Sequence, residues 1–115
     1  MAGGAEVKSE RNIQALILMA LSEAGCLVWR QDTGAYKSPD GRLIRYGLCK
    51  GSSDVIGLAK DGRFLAVEVK TATGRVRPEQ VAFIDAVRRA GGRAGVARSV
   101  GEALSIALDT PRLTC

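Results

Sequence analysis

Apolar residues at Ile13, Leu16, Ile17, Ala20, Leu21 and Ala24 recur at intervals of three and four, the spacing that gathers them on one face of a helix. Ser9 precedes this run as candidate N-cap, and Gly25 supplies its stop. Cys26-Leu-Val-Trp29 then reads as a short strand. The stretch from Asp32 to Gly41 is dense in turn formers, so a loop or irregular ribbon leads on to Arg42-Leu-Ile-Arg-Tyr-Gly47. After Gly51-Ser-Ser come two apolar runs, Asp54–Ala59 and Arg63–Lys70, joined by Lys60-Asp-Gly62, which is a hairpin signal. Pro78 opens a second helix with Gln80, Phe83, Ile84 and Val87 on one face, and Gly91-Gly92 ends it. Gly95-Val-Ala97 is a further short strand, and Val100 to Leu108 a last helix capped by Ser99. The predicted order is helix, three strands, helix, strand, helix. A strand, a helix and another strand in succession call for a crossover between parallel neighbours, so the class is α/β with a mixed sheet flanked by helices.

The hairpin carries the chemistry, and its register decides which side chains meet, because a slip of one residue turns a side chain to the other face. With Asp61-Gly62 as a two-residue turn, Lys60 pairs with Arg63 and Asp54 faces Val69. With a three-residue loop, Lys60-Asp61-Gly62, Ala59 pairs with Arg63 and Asp54 stands opposite Glu68, at roughly 4.5–5.5 Å between Cβ atoms. A glycine at the third loop position speaks for the second register without fixing it. Glu68 and Lys70 share a strand face in either case, with small Ala66 beside them, while Val67 and Val69 point into a helix-covered layer. An acid and a base among valines need partners, since unpaired buried charge is costly. The pattern suits a hard divalent cation: Mg2+ takes one or two carboxylates and fills its remaining positions with water and substrate phosphate.

Composition narrows the choice. The 115 residues are 46% hydrophobic, enough for one modest core and one domain. The chain contains no histidine, which excludes His-ligated metal sites, histidine general bases and Ser-His-Asp hydrolases, and leaves carboxylates to carry any metal. Seventeen Lys and Arg against 12 Asp and Glu give a formal charge of +5, compatible with a polyanionic partner. Cys26, Cys49 and Cys115 are odd in number and never in a C-x-x-C pair, which fits a reducing compartment and argues against a zinc site or disulfide framework. No signal peptide or membrane span is legible, so a cytoplasmic setting is expected, and Gly91-Gly-Arg-Ala-Gly95 follows a helix instead of opening one, so no nucleotide cofactor is expected.

Gly51-Ser-Ser-Asp54, Glu68-Val-Lys70 and Gln80 resemble the signature of PD-(D/E)XK nucleases. More narrowly, Glu10, Gly51-Ser-Ser-Asp54-Val-Ile-Gly57, Asp61-Gly-Arg-Phe64, Glu68-Val-Lys70, Glu79-Gln80 and Gly91-Gly92 resemble the virus-type replication-repair nuclease (VRR-Nuc) family, over about Ser9 to Leu108. The resemblance implies a restriction-endonuclease-like core in one domain over residues 9–110, with tails at 1–8 and 111–115. It implies metal ligation by Glu10, Asp54, Glu68 and the backbone carbonyl of Val69, a catalytic Lys70 and a supporting Gln80, with Mg2+ as cofactor and Mn2+ as substitute. Ser53 stands where the signature has proline, a departure that leaves the carboxylate in place. The implied activity is a phage or bacterial DNA endonuclease cutting branched DNA such as Holliday junctions or flaps, as a homodimer. Lys50, Ser52, Ser53, Arg75 and Arg77 are the candidate DNA contacts.

Blander readings stand beside these. Asp54, Glu68 and Lys70 would also fit an edge hairpin with solvated charges; Glu10 in a first helical turn would serve the helix dipole, and Gln80 would bond backbone there. Arg75, Arg77, Arg88, Arg89, Arg93 and Arg98 flank the second helix, where they would contact phosphate or form a solvated face. Trp29, Tyr36 and Tyr46 would stack on unpaired bases, although Trp29 is expected in the core and Cys26 and Cys49 as small buried residues. A non-catalytic DNA-binding module on the same fold is the alternative function; a tRNA-splicing type of nuclease is disfavoured by the missing histidine.

Overall fold

A computed structural model describes residues 9–109, which leaves the two predicted tails and Cys115 outside the described residues. Nine elements follow in order: α1 (Glu10–Glu23), β1 (Leu27–Arg30), β2 (Gly34–Lys37), β3 (Leu43–Tyr46), β4 (Val55–Leu58), β5 (Phe64–Val69), α2 (Pro78–Arg89), β6 (Arg93–Ala97) and α3 (Val100–Leu108). The helix limits follow the expected caps. Ser9 accepts a hydrogen bond from the Asn12 N–H, Ser99 accepts one from the Glu102 N–H, and Gly25 and Gly91 end α1 and α2 with left-handed backbone.

Four strands form one mixed sheet in the order β1-β4-β5-β6, antiparallel except for the parallel pair β5 and β6 that α2 joins. The core lies on both faces. On one, Ile13, Ile17 and Leu21 of α1 and Ala103 and Ala107 of α3 pack on Val55, Leu65, Val67 and Val69. On the other, Ile84, with Phe83 and Val87 beside it, packs on Ile56, Ala66 and Ala94. The fold is therefore α/β with a restriction-endonuclease-like core.

The predicted irregular stretch after β1 is regular: β2 and β3 pair antiparallel as a separate two-stranded ribbon. It escapes the sequence pattern because no apolar face is buried in it; Ala35, Tyr36, Lys37, Leu43, Arg45 and Tyr46 are all exposed. Trp29 also departs from expectation. It pairs with Ile56, on the face that α2 covers, but α2 packs over β5 and β6 and leaves the β1 edge open, so Trp29 is 48% exposed. Of the two described cysteines, Cys26 is buried as expected and Cys49 is exposed.

The β4–β5 loop has the three-residue form. Gly62 has φ +88°, the Ala59 N–H donates to the Arg63 carbonyl at 2.8 Å, and Val55 pairs with Val67. No atom lies within 4 Å of a β-carbon built on Gly62. Gly62→Ala is therefore expected to cost only backbone strain, about 1 kcal/mol, read as a lower denaturation midpoint at unchanged slope.

Candidate active site

The register of β4 and β5 carries Asp54, immediately before β4, to the side of Glu68. One Asp54 carboxylate oxygen accepts a hydrogen bond from the Val69 backbone N–H at 3.0 Å, which fixes the acid against β5. Glu68 is 1% exposed, on the α2 face of the strand. Its Oε2 accepts a hydrogen bond from Gln80 Nε2 at 3.0 Å and lies 3.6 Å from Lys70 Nζ. Gln80 is itself held by α2: its Oε1 accepts from the Arg77 N–H at 2.9 Å at the start of that helix. Lys70 is buried to 8% exposure and its backbone N–H donates to the Ala97 carbonyl of β6, so its stem is fixed by the sheet.

Glu68 Oε1 is buried and has no hydrogen-bond partner. The Glu68 carboxyl is pushed up to about 8: burial is the chief cause, the adjacent Asp54 carboxylate adds to it, Lys70 pulls it down, and Glu10 pushes it up. Near neutral pH the Glu68 carboxyl therefore keeps its proton. An orphaned carboxylate oxygen beside a second carboxylate fits a divalent ion with oxygen ligands, which would restore to Glu68 the charge that burial suppresses.

Glu10 lies on the first turn of α1, exposed, where its charge reaches Glu68. It does not complete a third ligating arm: among the described residues no group of three or more acids, cysteines or histidines has metal-binding spacing. Asp54 and Glu68 are thus the pair that the fold brings together, with the Val69 backbone between Glu68 and Lys70.

A cleft of about 470 Å3 opens at Asp54, lined also by Arg77, Glu79 and Gln80 and by the ribbon's Gly34, Arg45 and Tyr46. Lys50 and Ser52 also line it, from the loop before β4. That loop lies hard against α2: a β-carbon on Gly51, which has φ +91°, would sit 2.2 Å from the Glu79 carbonyl oxygen. Ser53 is fully buried behind the cleft, its Oγ without a hydrogen-bond partner, and Arg75 is exposed on the loop that leads to α2. The other arginines near α2 divide by their bonds. Arg88 donates to the Ala94 carbonyl, Arg93 to Asp61 and to the Asp109 carbonyl, and Arg98 to the carbonyls of Thr71 and Gly74, so these three tie the fold. Arg77 and Arg89 are exposed, Arg77 with Glu79 3.8 Å away. Arg45 was not among the residues that the sequence singled out, and no pattern in the stretch Arg42–Tyr46 marks it.

The mixed sheet, the paired acids and the adjacent lysine define a nuclease-type domain of the PD-(D/E)XK class. The VRR-NUC domain matches residues 8–101, and the chain belongs to that family. No curated protein matches the chain.

Proposed function

We propose that the protein is a magnesium-dependent DNA endonuclease that hydrolyses phosphodiester bonds, selective for branched DNA such as Holliday junctions or flaps. The observation that carries the reading is the buried Glu68, with an unpartnered oxygen, beside Asp54 and Lys70, where Asp54 and the Gln80 that bonds Glu68 line an open cleft. Asp54, Glu68 and the Val69 carbonyl would hold the ion, with Glu10 reaching it through solvent. Bound there, magnesium supplies Lewis acidity to the phosphate under attack and to the attacking water. The chain's own residues do the rest. Gln80 holds Glu68 in place, the Val69 N–H holds Asp54, and the Lys70 ammonium orients the water and offsets negative charge on the phosphate in the transition state. Lys50, Ser52 and Arg77 stand on the cleft wall, where phosphates flanking the cut would lie, and Arg75, exposed on the loop before α2, would contact the strand farther out.

Replacing Gln80 by Ala removes the hydrogen bond to Glu68 but neither charge, so cleavage is expected to fall about 10- to 100-fold, less than on loss of Lys70. The reading as a whole is tested by incubating the protein with end-labelled four-way junction, flap and linear duplex under Mg2+, Mn2+ or EDTA. Metal-dependent nicking that favours the branched forms is expected. Binding without cleavage under every divalent ion would replace this reading by that of a DNA-binding module. A homodimer, which would set two sites against the two strands of a junction, is part of the proposal and is read from sedimentation equilibrium. The expected setting is the cytoplasm of a bacterium or phage-infected cell; among the described residues no helix is long and apolar enough to cross a membrane.

A further inference from the structure

We propose that the β2–β3 ribbon is a stacking wall that receives an unpaired base next to the phosphate held at Asp54 and Glu68. The cut strand then has an unpaired base beside the scissile phosphate, as at a flap or an opened branch point. This rests on the reading of the site as a nuclease.

Neither ribbon strand packs to any extent on another helix or strand, so the ribbon is not there to build the core. What it presents instead is aromatic and cationic. Gly34 pairs with Tyr46 and Tyr36 with Ile44, which puts both tyrosines on one face. Their ring centroids are 6.5 Å apart, tilted by 46°, and the two residues are 56% and 50% exposed. Tyr46 is pre-set by its partner: a β-carbon on Gly34 would lie 2.4 Å from the Tyr46 hydroxyl oxygen, so the ring lies across bare backbone that only glycine offers. From there Tyr46 lines the same cleft as Asp54 and Gln80. An exposed ring in the cleft that Asp54 lines has the form of a platform for a base, which binds through its π-face whatever its identity.

The charges around it select nucleic acid over a second copy of this chain. Arg45, Lys50 and Arg77 line the cleft together with Tyr46, against Asp32, Asp54 and Glu79. Another copy would bring the same cations to the same place, whereas a nucleotide strand brings phosphates at the spacing of its bases. A base inside a duplex cannot lie on Tyr46, because both its faces are already stacked.

The test is fluorescence anisotropy with Ca2+ in place of Mg2+, using a labelled single-stranded oligonucleotide and the blunt duplex of the same sequence. Wild-type protein is expected to bind the single strand more tightly than the duplex. Tyr46→Leu should weaken single-strand binding about tenfold and leave duplex binding unchanged, while Tyr46→Phe, which keeps the ring, should bind like wild type. Equal loss on both ligands, no loss for Tyr46→Leu, or no preference in the wild type would overturn the proposal. So would sedimentation in which Tyr46→Leu turns a dimer into a monomer with single-strand affinity intact, since a second copy would then be the occupant. Because the assay needs no cutting, ring-dependent binding by a protein that never cleaves would defeat the nuclease reading alone.

Discussion

Lys70→Met is expected to cleave branched DNA about 100- to 1,000-fold more slowly than wild type at saturating magnesium, with an unchanged circular dichroism spectrum. Methionine keeps most of the buried stem and removes only the ammonium, which lies 3.6 Å from Glu68. Two losses then add. The transition state loses a positive charge fixed inside a nearly dry site, where it acts more strongly than in water. Glu68 also loses the neighbouring positive charge that pulls its carboxyl down, so more of it stays protonated at a given pH and the ion binds less well. The second loss has its own signature: the rising limb of the pH–rate profile moves to higher pH in the variant. A variant that cleaves within a few-fold of wild type would remove Lys70 from the catalytic set.

Stability should run opposite to activity at Glu68. Its carboxyl is held at about 8 in the fold against an ordinary value of 4.5, so between those values the unfolded chain releases a proton that the folded chain keeps. Unfolding is therefore favoured as pH rises through that window. The penalty is absent below about pH 4.5, grows to a few kcal/mol, and is complete above about pH 8. Metal-free wild type should lose melting temperature steadily from pH 5 to pH 8, and Glu68→Gln should be nearly flat over that range. Magnesium should raise the wild-type melting temperature most at the alkaline end, where the carboxylate is free to bind it, and should do little for Glu68→Gln. A wild-type curve insensitive to pH would show that Glu68 is not the strained group described here.

The sequence carried the centre of this site for a physical reason. Glu68 and Lys70 are two apart on a strand and must share a face, and Gly62 as third residue of the β4–β5 loop favoured the register that sets Asp54 opposite Glu68. Caps at Ser9 and Ser99 were equally legible because a cap is local. What the sequence hid depends on distant packing. Trp29 sits in a strand of core-like composition, and its exposure follows only from how far α2 reaches across the sheet. The ribbon β2–β3 has no buried face, so no period of two marks it. Arg88, Arg93 and Arg98 look like DNA contacts until the fold brings carbonyls and Asp61 to them. Glu10 rested on resemblance more than on physics; its charge is felt by Glu68, while among the described residues no three acids stand at metal-binding spacing.

The central claim is that Glu68 is kept buried for chemistry and at a cost to the fold. It is tested most directly by measuring Glu68→Gln twice on one preparation at pH 7.5: single-turnover cleavage of a labelled junction in magnesium, and melting temperature without metal. The account predicts cleavage below detection together with a melting temperature about 5 °C or more above wild type. Cleavage within about tenfold of wild type, or a melting temperature below it, would contradict the account.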